Sequence, residues 1–127
     1  MSKTILVVDD DYDFLEQTKI RLQSQGFEVI TAENEEEAET LIEENNFDAA
    51  IVDIMLENDD AGFILAYKIK SKNQDKPVII TSAVTKETGL DFDAETEEEK
   101  SWIKADTFLS KPIRYEQLYN ELNKLMD

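Results

Sequence analysis

The sequence predicts an α/β domain, a (βα)5 doubly wound, five-stranded parallel sheet of order 2-1-3-4-5. Three observations carry that expectation. Short, apolar, β-rich runs alternate with amphipathic stretches from end to end. Parallel strands need crossover connections, which an intervening helix supplies. The length, 127 residues, suits one domain built around one core.

Each element follows from its residues. Ile5-Leu6-Val7-Val8 is an unbroken apolar run, the pattern of a strand covered on both faces. Phe14, Leu15, Thr18 and Leu22 then recur at helical spacing, and Gly26 offers a helix C-terminus. Phe27 to Ala32 is the second strand. Asn34 followed by Glu35, Glu36 and Glu37 reads as an N-cap with a capping-box partner and an acidic first turn. Ala38, Leu41 and Ile42 supply the buried stripe of that second helix. Ala49 to Val52 is the third strand and Phe63 to Lys72 the third helix. Pro77 introduces the fourth strand, Val78 to Thr81. Phe108 and Leu109 mark a short fifth strand, and Leu118, Leu122 and Leu125 line the last helix. No internal repeat or Pro/Gly/Ser hinge divides the chain, so residues 1–127 are expected to be a single domain. With right-handed crossovers, the economical arrangement at this length is flavodoxin-like.

Composition narrows the chemistry. Lys and Arg total 13 against 30 Asp and Glu, a net charge of −17. That balance argues against general affinity for nucleic acid or an anionic membrane, since both need a positive footprint. A hydrophobic content of 41% is too high for disorder. No run approaches the roughly 20 apolar residues of a membrane span, and no signal sequence opens the chain, so the expected compartment is the cytoplasm. With no Cys and no His, thiolate and imidazole chemistry are excluded. Carboxylates, hydroxyls and lysines remain. The run Asp91 to Glu99 holds six acidic residues in nine, and reads as a solvated loop and first helical turn.

The informative coincidence is positional. Asp9 and Asp10 sit just past the first strand and Asp53 just past the third. In the order 2-1-3-4-5 those strands are neighbours, and connectivity reverses between them. Ligands bind at such switch points, outside the carboxyl ends of the strands. Ser82 follows strand 4 and Lys111 follows strand 5, placing a hydroxyl and an ammonium on the same rim. Two carboxylates about 4 Å apart repel by roughly 4 kcal/mol at an effective dielectric near 20. A cluster of three therefore takes up a proton or recruits a cation. Mg²⁺ suits the oxygen donors, because it uses one or two carboxylates together with waters and a substrate phosphate. A remaining carboxylate can accept a phosphoryl group as an acyl phosphate. Acidic residues after a strand also cap the next helix, a role open to both Asp10 and Asp11.

These residues resemble the receiver domain of response regulators, the phosphoacceptor of two-component signalling, over nearly the whole chain. The matching features are the apolar run into Asp9-Asp10, the lone Asp53, Val78-Ile79-Ile80-Thr81-Ser82-Ala83, and Phe108-Leu109-Ser110-Lys111-Pro112. The resemblance implies that Asp53 is phosphorylated, and that Asp9, Asp10, Asp53 and the main-chain carbonyl of Met55 hold Mg²⁺, with Mn²⁺ able to substitute. It implies that Ser82 and Lys111 bind phosphoryl oxygens and that Phe108 is the switch aromatic. As a phenylalanine, Phe108 has no hydroxyl to hold it at the surface, and a buried rotamer is expected. The implied donor is a sensor histidine kinase or a histidine phosphotransfer protein. The implied readout is a change in the surface of helix 4, strand 5 and helix 5, read by an unspecified output protein. The chain is thus expected to be a signalling domain rather than an enzyme, in direct contact with neither nucleic acid nor membrane.

Two stretches depart from the family pattern. Leu56-Glu57-Asn58-Asp59-Asp60-Ala61-Gly62 lacks the usual Pro and places Gly one position late. The stretch from Ala83 to Phe108 is longer than typical and holds Trp102. Met55 and Val84, two residues past Asp53 and Ser82, have apolar side chains that cannot orient an attacking water, so slow self-dephosphorylation is expected. One alternative is a haloacid-dehalogenase-type phosphohydrolase with Asp9 as nucleophile and Asp11 as general acid. Asp13 occupies the position where that family has a small or β-branched residue, and its domain is usually longer. Another is a degenerate receiver that serves only as a protein-binding scaffold.

Overall fold

The computed structural model describes residues 3–44, 46–53, 61–82 and 106–126. The strands are β1 (Thr4–Val8), β2 (Glu28–Ala32), β3 (Ala49–Asp53), β4 (Val78–Ser82) and β5 (Thr107–Ser110). Helices α1 (Tyr12–Ser24), α2 (Glu35–Glu44) and α3 (Ala61–Lys72) alternate with them, and a C-terminal helix spans Tyr115–Met126. All strand pairs are parallel and the sheet order is β2-β1-β3-β4-β5, as the apolar runs predict. The expected fourth helix, the segment from Val84, Trp102 and the acidic run 91–99 lie outside the described residues.

Successive residues of a strand face opposite sides of a sheet, and here both sides are covered. Leu6, Val8, Ala50, Val52, Val78 and Ile80 pack with Ala38, Ile42, Leu65 and Ile69 of α2 and α3. Ile5, Val7, Ala49, Ile51, Ile79 and Leu109 pack with Leu15 and Leu22 of α1 and with Leu118 and Leu122 of the C-terminal helix. This continuous burial on two sides explains the unbroken apolar runs.

The helix ends follow their sequence signals closely. Asn34 caps α2 by accepting from Glu37 N at 2.8 Å, while Glu37 Oε1 accepts from Glu33 N rather than from the cap's own N–H. The capping box thus reaches one residue further back than its usual form. Gly26, at φ 92°, ends α1. Its N–H donates to Gln23 O at 3.0 Å and Phe27 N–H to Leu22 O at 3.1 Å, the paired bonds of a Schellman motif. β5 is longer than its apolar core suggests, because Thr107 and Ser110 also pair with β4. At the start of that pair Asp106 accepts from Val78 N at 2.7 Å and forms an ion pair with Lys70 of α3 at 2.8 Å.

Candidate functional site

Asp9 is the first residue beyond β1 and Asp53 the last of β3, so adjacent strands bring them to one crevice. Asp9 continues the alternation of Ile5 and Val7, and Asp53 that of Ala49 and Ile51, which places both on the α1 side of the sheet. One carboxylate oxygen from each of Asp9, Asp10 and Asp53 lies within 4.8 Å of the others. Asp9 and Asp53 are buried and Asp10 is exposed. Asp11 is the helix cap: its Oδ1 accepts from Phe14 N at 3.2 Å. The sequence left that role open between Asp10 and Asp11. With Asp11 so engaged, Asp10 stays with the cluster, and the hydrolase alternative finds its general acid turned toward α1.

Lys111 completes the group from the far side. It follows β5, yet its Nζ donates to Asp9 Oδ2 at 2.6 Å and lies 3.6 Å from Asp53 Oδ2. To reach them it crosses the ends of β4 and β3. The same Nζ sits 4.4 Å from the centre of the Phe14 ring on α1, so the lysine runs along the α1 side. The Lys111–Pro112 peptide is cis.

The electrostatics are those of charges withdrawn from water. Burial pushes the Asp9 carboxyl above its ordinary value, and the charge of Asp53 adds to that. The hydrogen bonds from Lys111 and from Asp11 N, at 2.9 Å, pull the other way without cancelling it. For Lys111, burial lowers the ammonium, but the hydrogen bond to Asp9 and the charges of Asp9, Asp53 and Asp11 outweigh it, and its value is raised. One ammonium faces three carboxylates. Their donor set is all oxygen and one member is open to solvent, which fits a hard divalent cation that keeps some of its waters.

Of the other expected residues, Ser82 ends β4 and is buried, beside Ser110 of β5. Phe108 is half-buried and packs against the α2–α3 side, the opposite side from Lys111. Met55 lies outside the described residues, as do Val84 and the departure loop 54–60. Two contributors carry no signal in the sequence pattern: Phe14 has the spacing of an ordinary helix stripe, and the Asp11 N–H leaves no trace among the side chains. Thr81 is fully buried, and its Oγ1 has no hydrogen-bond partner among the described residues. Leaving such a hydroxyl unmatched costs about 1–3 kcal/mol. The visible signal was a hydroxyl directly after the apolar run Val78-Ile79-Ile80.

An open parallel sheet with a carboxylate trio and a lysine at its switch point defines a flavodoxin-like α/β domain with a cation-ready acidic crevice. Residues 5–123 match the model of the response regulator receiver domain, and the chain belongs to that family. Response regulator GtcR of Aneurinibacillus migulanus is 34% identical over 117 residues, which cover 89% of this chain and 43% of that protein. The chain spans less than half the length of the first curated relatives it matches. Among solved structures, a CheY-like receiver domain protein from Methanospirillum hungatei JF-1 superposes with a TM-score of 0.82 at 27% identity, covering 100% of this chain and 95% of that one. Response regulator TrrA of Thermotoga maritima, solved in complex with Mg²⁺-BeF, gives 0.78 at 31% identity, covering 97% and 98%. No helix among the described residues is long and apolar enough to cross a membrane.

Proposed function

We propose that this chain is a phosphorylatable receiver, accepting a phosphoryl group on Asp53 from the phosphohistidine of a sensor histidine kinase or histidine phosphotransfer protein. The observation that carries this reading is the grouping of Asp9, Asp10 and Asp53 oxygens within 4.8 Å, with Lys111 held against two of them. Mg²⁺ held by Asp9, Asp10 and Asp53, or Mn²⁺ in its place, supplies neutralising charge to the transferring phosphoryl oxygens when bound. An Asp53 carboxylate oxygen forms the new bond to phosphorus as the donor's P–N bond breaks, and the electron pair leaves with the imidazole. Lys111, 3.6 Å from Asp53 Oδ2, needs only a short movement from Asp9 to meet a phosphoryl oxygen. Ser82, at the end of the neighbouring strand, offers its hydroxyl to another.

Phosphorylation adds about one negative charge and new acceptor oxygens at Asp53. Ser82 and Lys111 bind those oxygens in one state only, which biases a two-state surface. Phe108, half-buried two residues before Ser110, is the aromatic placed to follow Ser82 inward. The surface so altered is that of β5 and the C-terminal helix, with the fourth helix that the family resemblance implies, facing an output protein. The Met55 carbonyl belongs to the same reading as a further metal ligand.

The test is incubation with acetyl phosphate and Mg²⁺, read by intact mass. The wild type is expected to gain one hydroxylamine-labile phosphoryl group and Asp53→Asn none. Hydroxylamine-labile phosphate on Asp53→Asn overturns the acceptor assignment. A wild type that stays unlabelled by both acetyl phosphate and phosphorylated kinases favours the scaffold alternative.

A further inference from the structure

Thr81 stands beside the proposed phosphoryl site without any role in it so far. It pairs in register with Asp53 on one side and with Leu109 on the other. Like Ile79, two residues earlier, it points to the α1 side, the side occupied by Asp53, Asp9 and Phe14. Neighbouring strands lie about 4.8 Å apart, so its side chain is the immediate neighbour of the Asp53 carboxylate. The lysine starts beyond β5 and ends on Asp9 and Asp53, and β4 is the first strand it crosses. On that strand and that side, the described residue nearest its path is Thr81. The hydroxyl is fully buried and unpartnered among the described residues. A purely space-filling role would be met by valine without an orphaned oxygen.

We propose that Thr81 is a positioning residue for Lys111, its hydroxyl oxygen accepting an N–H of the ammonium as that group leaves Asp9 for a phosphoryl oxygen on Asp53. The inference rests on Asp53 being the phosphoacceptor. The ammonium has three N–H donors, and one of them is directed at Asp9. A cation on Asp9 competes for that carboxylate and repels the ammonium. The lysine then needs acceptors further along its own path, and among the described residues Thr81 Oγ1 is the buried side-chain oxygen that lacks a partner. Held there, Nζ stays over Asp53 instead of swinging out to solvent.

The experiment compares wild type, Thr81→Val, Thr81→Ser, Lys111→Met and the double variant Thr81→Val/Lys111→Met. Three quantities are measured: the unfolding midpoint of the metal-free protein, the affinity for Mg²⁺ alone by calorimetry, and the initial rate of labelling by acetyl phosphate. Thr81→Val is expected to unfold at or above the wild-type midpoint and to bind Mg²⁺ within about twofold, while labelling about five- to tenfold more slowly. Thr81→Ser restores the rate to within about twofold of wild type, and Thr81→Val causes no further loss in the Lys111→Met background. Labelling of Thr81→Val at the wild-type rate overturns the inference alone and leaves Thr81 a core residue. So does a loss that persists undiminished in the Lys111→Met background, because the hydroxyl then acts elsewhere. An unlabelled wild type overturns the phosphoacceptor reading, and this inference with it.

Discussion

Lys76 is an ammonium drawn under cover where the chain enters β4, with only 8% of the residue exposed. Its Nζ lies 4.2 Å from the centre of the Phe47 ring. Burial lowers its pKa below the ordinary 10.5, and the charge of Asp48 opposes that shift only in part. The folded state therefore holds this proton less tightly than the unfolded chain. Below the depressed value both states are charged, and folding bears the full cost of burying the charge. As pH rises through that value toward 10.5, the unfolded chain carries more protons and stability climbs. Lys76→Met keeps the stem and removes the charge. In urea titrations across pH, wild-type stability is expected to rise relative to that of the variant as pH approaches 10.5; a relative fall would show that the folded state holds this proton more tightly, not less. Single residues are also where sequence reading loses resolution. Whether Asp10 or Asp11 caps α1 depends on one hydrogen bond to Phe14, and both are acidic residues in the right window. The roles of Thr81 and Phe14 depend on where a lysine some thirty residues or more away in sequence extends, which no local pattern encodes.

At the scale of elements, the end of α1 shows a sequence signal and its geometry in full agreement. Gly26 carries φ 92°, and a Cβ built there meets nothing within 4 Å. The penalty for a side chain is therefore conformational rather than steric. Gly26→Ala is expected to lower the unfolding free energy by about 1 kcal/mol through the left-handed backbone alone, with little change in m-value. Chemical denaturation checks it, and a loss several-fold larger would mean that the paired bonds to Leu22 and Gln23 break as well. Elements of this kind were legible because short-range chemistry decides them: an apolar run for each central strand, a glycine after the last helical residue, an asparagine before an acidic turn. β5 was only half legible. Phe108 and Leu109 carry its apolar core, but Thr107 and Ser110 are strand residues only because β4 offers partners opposite them. α3 starts at Ala61, two residues before Phe63, because its first two residues, Ala61 and Gly62, carry no bulky apolar side chain to announce the helix.

For the whole molecule, charge sets the terms. A net −17 on 127 residues means that the folded chain repels itself, and any cation relieves some of that strain. Site-bound and atmospheric cations separate by their concentration dependence. Screening by NaCl acts on all exposed charges and saturates as the Debye length falls to about 8 Å at physiological ionic strength. A cation shared by Asp9, Asp10 and Asp53 would favour the folded state, because unfolding separates Asp53 from the adjacent pair Asp9 and Asp10. It stabilises by mass action, about 2.7 kcal/mol at a hundred times its dissociation constant. Asp10 is the member to remove, since it alone of the three is exposed. MgCl2 is therefore expected to raise the unfolding midpoint of the wild type well beyond NaCl of equal ionic strength. In Asp10→Asn the two salts should act nearly alike, at an unfolding midpoint without salt no lower than that of the wild type. Equal increments from the two salts in the wild type would mean that the three carboxylates share no ion, and that Lys111 alone balances the crevice.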